Sequence, residues 1–454
     1  MHRENRTGVT FDAASSCVKC GTCQAVCPVF GARAVESSGA RGKMALIEAV
    51  SQTLIQETGH YREYLETCLL CGACDEACPS NVPTLDIMLR AREKMASGVG
   101  MKTGKSLILN HLLGAAKTFN LAVRTGRTLQ GLMFRRVPAS SGLRRRFPLP
   151  LIAGDRTVPK LARHFFTDRF HGLVMKGDGP RVGIFAGCMT NYFYPEMGEG
   201  MIGLVAATGA SVAVPGKQVC CGMPALTGGA RGTVRDLAVQ NLGVFEKYEL
   251  DCIVTGCATC GGNLKDNYGP LLKEAGIPED RIDGFVSKIL DINEFLFQAG
   301  PAVQVHGEKV QGAQALKVTY HHPCHLGRLQ EVRDEPIALI ESMAGVQLVP
   351  MEEADRCCGM GGSFSIEHYD ISKEVNDRKV KNIVASGAQA VVTSCPACIL
   401  HIRDGLIRNG HGEIEVLHVT DLISARLGNQ RSTFKVQGLR FNGVKQVIGK
   451  AGST

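Results

Sequence analysis

No stretch of this chain approaches the ~18 consecutive apolar residues that a membrane-spanning helix needs. Any membrane contact is therefore expected to be peripheral or through a partner. The N-terminus, MHRENRTGVTFDAASS, lacks the apolar core of a secretory signal, so an oxidising compartment is not indicated. A dinucleotide fingerprint is missing too. Glycine-rich pieces such as Gly359-Met360-Gly361-Gly362 belong to cysteine motifs, without the acidic partner a nucleotide site requires. Neither flavin nor nicotinamide is expected in this chain, and hydride chemistry must happen elsewhere. Acidic residues are absent between Glu93 and Asp155, where eleven lysines and arginines fall; without them the formal charge of +8 becomes −3. Base-stacking aromatics are scarce in that window, which argues against nucleic acid as a partner.

What the chain does have is cysteine, 19 in 454 residues. Cys17, Cys20, Cys23 and Cys27 precede Pro28, and Cys68, Cys71, Cys74 and Cys78 precede Pro79. Each run has the C-x2-C-x2-C-x3-C-P spacing of bacterial ferredoxins, where the fourth cysteine of one run ligates the cluster of the other. Three thiolates two residues apart lie on one tight loop and hold three corners of a cube; the remote fourth closes it. Two cubane [4Fe-4S] clusters are expected, one on Cys17, Cys20, Cys23 and Cys78, the other on Cys68, Cys71, Cys74 and Cys27. Disulfides and paired zinc sites are the competing readings, and the lack of a secretory signal disfavours the first.

Length allows about three domains of usual size, and 44% hydrophobic content is ordinary for globular protein. The 53 glycines exceed the usual share of roughly 7%, which fits tight loops around cofactors. Between the cysteine runs, Met44, Ile47, Val50 and Leu54 fall at helical spacing. Residues 1–100 are expected to form a mostly helical ferredoxin-like domain. Residues 101–179 read as a basic connector, with Leu107, Ile108, Leu112, Leu113, Leu121 and Val123 set among the cations. That pattern suits amphipathic helices docking on a membrane or a partner, and equally a passive solvated linker.

The rest is a repeat. Cys188, Cys220-Cys221-Gly222 and Cys257 with Cys260 recur as Cys324, Cys357-Cys358-Gly359 and Cys395 with Cys398, at offsets of 136, 137, 138 and 138 residues. A duplicated module of that length follows, with expected bounds 180–315 and 316–454. RVGIFAGC, CIVTGCATC, LKVTYHHPC and AVVTSCPAC read as short strands ending in cysteine loops, with helices such as RDLAVQNLGVFEKY between them. The alternation predicts α/β layers with ligands at the carboxyl ends of parallel strands. The overall expectation is α+β and multidomain.

Each module offers five cysteines, one more than a cubane uses. An open, non-cubane cluster, a cubane with a spare thiol, and zinc with a spare thiol all satisfy that count. Cys252 has no counterpart in the second copy and reads as a small buried hydrophobe. His321, His322 and His325 surround Cys324 but not Cys188, and read as structural or as supports for the ligands.

The cysteine pattern resembles the CCG domain of the heterodisulfide reductase family, which implies non-cubane [4Fe-4S] clusters in one or both modules. With the two ferredoxin runs, the whole is similar to the iron-sulfur subunits of glycolate oxidase and D-lactate dehydrogenases, and to the corresponding subunits of anaerobic glycerol-3-phosphate dehydrogenase and of heterodisulfide reductase. SGARGKMALIEAV resembles the glycolate oxidase subunit most. The intact pairs Cys257/Cys260 and Cys395/Cys398 depart from that subunit, where a degraded pair is expected. The resemblance implies an electron-transfer subunit, cytoplasmic or peripheral on the inner membrane face. Its partner would be an FAD-containing dehydrogenase of glycolate or lactate, and its acceptor a quinone or another membrane carrier. Cleavage of a disulfide at a non-cubane cluster is the alternative, and a metal-folded scaffold the third reading.

Overall fold

A computed structural model of the chain describes residues 11–137, 142–149, 152–300 and 315–426. The stretch 427–454 of the expected second module lies outside them.

Described residues up to 100 form helices and no strand, as expected. Cys27 starts the Pro28–Arg33 helix, its Sγ accepting from Phe30 N at 3.4 Å. Pro28 thus opens a helix, where its fixed φ and missing N–H suit the first turn. In the Ala40–Ser51 helix, Met44, Ile47 and Val50 turn inward against Leu65, Leu85 and Met88. Leu54 breaks the expected pattern: the helix stops at Ser51, Thr53 takes a positive φ of 59°, and Leu54 is left 72% exposed.

The connector holds a helix over Ala116–Met133 and a small antiparallel sheet of β1 (Phe134–Arg136), β2 (Gly142–Arg145) and β3 (Val158–Pro159). The sheet has no sequence signal, since β1 and β2 set Arg135 opposite Arg144 rather than alternating apolar with polar residues. Leu109 and Leu113 are buried, whereas Leu107, Ile108 and Leu121 are exposed. Part of the basic charge is neutralised from outside the window: Lys105 lies 3.0 Å from both Glu66 and Glu367, and Arg124 pairs with Asp168.

The duplicated half is two α/β layers. The first sheet runs β4 (Leu173–Met175), β6 (Ser211–Val214), β5 (Arg181–Ile184), β7 (Cys252–Thr255), β8 (Ile289–Asp291), parallel except for β4 at the edge. The second runs β10 (Val346–Leu348), β9 (Leu316–His321), β11 (Ala390–Thr393), β12 (Glu415–His418), all parallel. Apart from β4, both have the order second-first-third-fourth. That order reverses direction beside the first strand, which is where open sheets of this kind bind ligands, at the carboxyl ends.

No helix among the described residues is long and apolar enough to cross a membrane. An apolar cluster of Val29, Leu69, Cys71, Ala73, Cys357, Phe364, Ile371 and Val375 joins the helical domain to the second module. Arg328 bonds Glu76 at 2.8 Å across the same contact, and His325 Nε2 meets the Leu70 carbonyl at 3.0 Å.

Candidate iron-sulfur centres

Cys27, Cys68, Cys71 and Cys74 line one cavity together with Lys43, Thr67 and Leu70. They are the four thiols the ferredoxin spacing groups together. Lys43 is 1% exposed and donates to the Ser37 and Ser38 carbonyls at 2.7 and 2.9 Å. Burial pushes its ammonium down to about 8, while the Cys68 and Cys27 side chains favour its charge. Arg92, also buried, donates to the carbonyls of Cys68 at 2.7 Å, Leu65 at 2.8 Å and Thr227 at 2.9 Å. It thereby ties this loop to the first module.

The first run sits nearer the surface. Cys17, Cys20 and Cys23 interact with one another and with Arg41, which pairs with Glu36 at 2.7 Å. Cys20 is exposed, and the Thr22 hydroxyl at 3.4 Å holds its thiol below the usual range. Cys78 packs against the same core as Cys17. Arg41 and Lys43 both belong to SGARGKMALIEAV, so that segment sets one cation beside each ferredoxin loop.

In the first module, Cys188 follows β5, Cys220 and Cys221 follow β6, and Cys257 and Cys260 follow β7. Cys188 lies beside Cys220, Cys221 beside both Cys220 and Cys260, and Cys260 beside Cys257. The second module repeats this: Cys324 lies beside Cys357, Cys358 beside Cys357 and Cys398 (3.5 Å), and Cys398 beside Cys395. The middle thiols correspond. Hydrogen bonding with Cys220 and Cys260 holds Cys221 well below the usual thiol range, and hydrogen bonding with Cys357 and Cys398 does the same for Cys358. Gly187, at φ 66°, is required here, because a Cβ would stand 2.9 Å from Cys260 Sγ. Gly222 and Gly359 also take positive φ, 89° and 94°, a conformation open to glycine at little cost.

The two modules and the helical domain meet through thiols. Cys257 lies beside Cys395, and Cys71 beside Cys357. Among the thiols, those of the second module therefore meet both the second ferredoxin loop and the first module. Interlocking bonds hold the modules together: His418 Nε2 to the Gly256 carbonyl at 2.8 Å, and Asn293 Nδ2 to Ser394 Oγ at 2.9 Å.

The surroundings of the two modules differ. Buried Lys379 stands beside Cys358 and Cys357 and donates to the Ala354 carbonyl at 3.2 Å; 138 residues earlier the first module has Asn241, bonded to the Cys220 carbonyl at 3.3 Å. His321 is wholly buried, burial pushes it down to about 3, and neither ring nitrogen makes a hydrogen bond of ordinary geometry. His322 packs edge-on to Tyr320 with ring centroids 4.7 Å apart. Cys252 is half-buried at the start of β7, packed against apolar neighbours, and burial raises its thiol to about 11. Sequence reasoning missed Arg41, Lys43, Arg92 and Lys379. Only SGARGKMALIEAV carried a signal for any of them.

Clustered, mostly buried thiols at strand ends, with no disulfide among them, suit iron-sulfur clusters; bound there, these would supply one-electron transfer. Comparisons with known proteins agree. The 4Fe-4S dicluster domain model matches residues 13–82, and the cysteine-rich CCG domain model matches 182–265 and 318–403. The probable glycolate oxidase iron-sulfur subunit of Bacillus subtilis is 27% identical over 427 residues, covering 92% of this chain and 95% of that protein. Lactate utilization protein A of Geobacillus kaustophilus is 31% identical over 248 residues, 54% of this chain and 99% of that protein. One of the subunits of the fumarate reductase (CoM/CoB) of Methanothermobacter marburgensis is 28% identical over 414 residues, 90% of this chain and 71% of that protein.

Proposed function

The chain belongs to the iron-sulfur subunit family of the glycolate oxidase and lactate-utilization type, and from that premise we propose that it is the electron-transfer subunit of a flavin-dependent 2-hydroxy acid dehydrogenase. An FAD-bearing partner oxidises glycolate or lactate, and this chain carries single electrons onward to a quinone or another membrane carrier. Two cubane clusters sit on Cys17, Cys20, Cys23, Cys78 and on Cys68, Cys71, Cys74, Cys27. Non-cubane clusters occupy the five cysteines of each module.

The observation that carries this reading is the continuous file of thiols, Cys71–Cys357–Cys358–Cys398–Cys395–Cys257–Cys260–Cys221–Cys220–Cys188. Such a file gives a conducting order: ferredoxin loop, second module, first module. Protein packing around it excludes water, and Lys43 and Lys379 offset the negative charge that thiolates and an added electron bring.

The test is electron paramagnetic resonance with metal analysis on anaerobically purified protein, given hydroxy acid and its candidate flavoprotein. About sixteen irons, four to each of four clusters, reduced only when both are present, is the expected result. About eight irons with zinc would confine redox chemistry to the helical domain and refute the relay.

A second reading is supported by the intact pairs Cys257/Cys260 and Cys395/Cys398 and by the likeness to the fumarate reductase (CoM/CoB) chain. It makes the modules a catalyst of disulfide cleavage. Disulfide turnover by the isolated chain would favour it.

A further inference from the structure

His321 ends β9 and pairs with Thr393 across the sheet. Its exposure is 0%, and neither ring nitrogen makes a hydrogen bond of ordinary geometry, although the Ala354 backbone acts on the ring. Polar atoms left without a well-formed hydrogen bond in a dry interior are costly, and a site that keeps them invites a ligand. The imidazole is aimed at one: a ring nitrogen of His321 and the Sγ atoms of Cys358 and Cys398 all lie within 4.8 Å of one another. Three donors converge there.

The first module has no such group. Cys324 and Cys188 are 136 residues apart, and the same offset takes His321 to Phe185, itself 0% exposed and bonded through its amide to Val254 on β7. Phe185 stacks on Phe245 at 5.8 Å between ring centroids, so the equivalent space is filled with hydrocarbon. The duplication thus kept the cysteines and changed this one position from hydrocarbon to ligand chemistry. Lys379 stands on the same side of the second module, interacting with both His321 and Cys358.

We propose that His321 is an iron ligand of the second module, one ring nitrogen coordinating beside Cys358 and Cys398, so that the two modules hold chemically distinct centres, one of mixed cysteine and histidine ligation and one of cysteine alone. This rests on the reading that the second module holds an iron-sulfur cluster. An imidazole at this position carries no negative charge where a thiolate would, and exchanging thiolate for imidazole raises the reduction potential in Rieske centres, so the potential of the second module's centre responds to His321→Cys.

The experiment is pulsed electron paramagnetic resonance on the reduced, anaerobically purified holoprotein grown with isotope-labelled histidine. The second module's signal is identified as the one that Cys358→Ala abolishes. Expected is a strong histidine-nitrogen coupling on that signal, absent from the first module's. It disappears in His321→Phe, which copies the first module's own residue, and in His321→Cys. Because His321→Cys restores a ligand, it keeps its iron and shows a lower midpoint potential, even if the phenylalanine variant fails to fold. Iron in the second module without histidine coupling in the wild type, or coupling that persists in His321→Cys, overturns the assignment. An absence of iron from the second module would instead overturn the reading on which it rests.

Discussion

Cys71 and Cys357 lie side by side, although one belongs to a ferredoxin loop and the other to the Cys-Cys-Gly turn of the second module. The contact is enclosed by Val29, Leu69, Phe364, Ile371 and Val375, so it is dry as well as close. It puts the second module's cysteines, rather than the first module's, against the second ferredoxin loop, which the order of the modules in the sequence does not suggest.

Cys358 stands at the centre of its module, between Cys357 and Cys398. Cys358→Ala is expected to abolish the second module's spectrum and spare both ferredoxin clusters. Resonance spectra recorded through a reductive titration test this, and an unchanged second-module signal would sink the ligand assignment.

Lys379 is 2% exposed and Asn241 0%, so both act on their cysteines from inside the protein. Lys379→Met is expected to make the second centre harder to reduce, by on the order of 1–2 kcal/mol for one charge at an effective dielectric near 20. The exposed loop of Cys17 and Cys20 should not respond. Potentiometric titration of each signal separates the two, and Lys379→Arg should restore most of the loss.

Asp291 caps the Ile292–Gln298 helix, accepting from Asn293 N at 2.9 Å, while its Oδ2 has no partner. Burial pushes it up to about 7, and Asp421 likewise. Their folded-state values lie above the unfolded carboxylate value, so both favour folding when protonated. That stability is complete below about pH 4 and is lost as pH rises to about 7, by at most roughly 4 kcal/mol per carboxyl. Buried His321, His322, His401 and His418, all pushed down by burial, act in the opposite sense over the same range, so the carboxyl is read as a difference: relative to wild type, Asp291→Asn holoprotein should gain melting temperature as pH rises from about 4 to 7. A difference between the two proteins that does not change with pH would contradict the argument.

Gly187→Ala sets a Cβ 2.9 Å from Cys260 Sγ and forces alanine into a φ of 66°. The expected cost is about 1–2 kcal/mol of backbone strain, with displacement of Cys260 in addition. Iron bound by the first module should drop while that of the second is retained; full occupancy with unchanged spectra would show that the close approach does not matter.

The sequence by itself determined the local chemistry. Ferredoxin spacing grouped Cys27 with Cys68, Cys71 and Cys74, and the structure brings those thiols to one cavity. The repeat offset foretold two modules, which share a strand order. Such features are legible because a ligand loop and a strand that ends in cysteine are written over a few contiguous residues. Leu54 failed as a helix position because a positive φ at Thr53 ends the pattern, a conformation that periodicity does not reveal. Only the tertiary structure decided which thiols of different domains touch, that Lys43 and Lys379 are buried rather than solvated, and that His321 faces Cys358 and Cys398 while Phe185 fills the matching place. These depend on contacts between residues tens to hundreds of positions apart. They arise from how layers pack, and packing leaves no spacing in the chain to read.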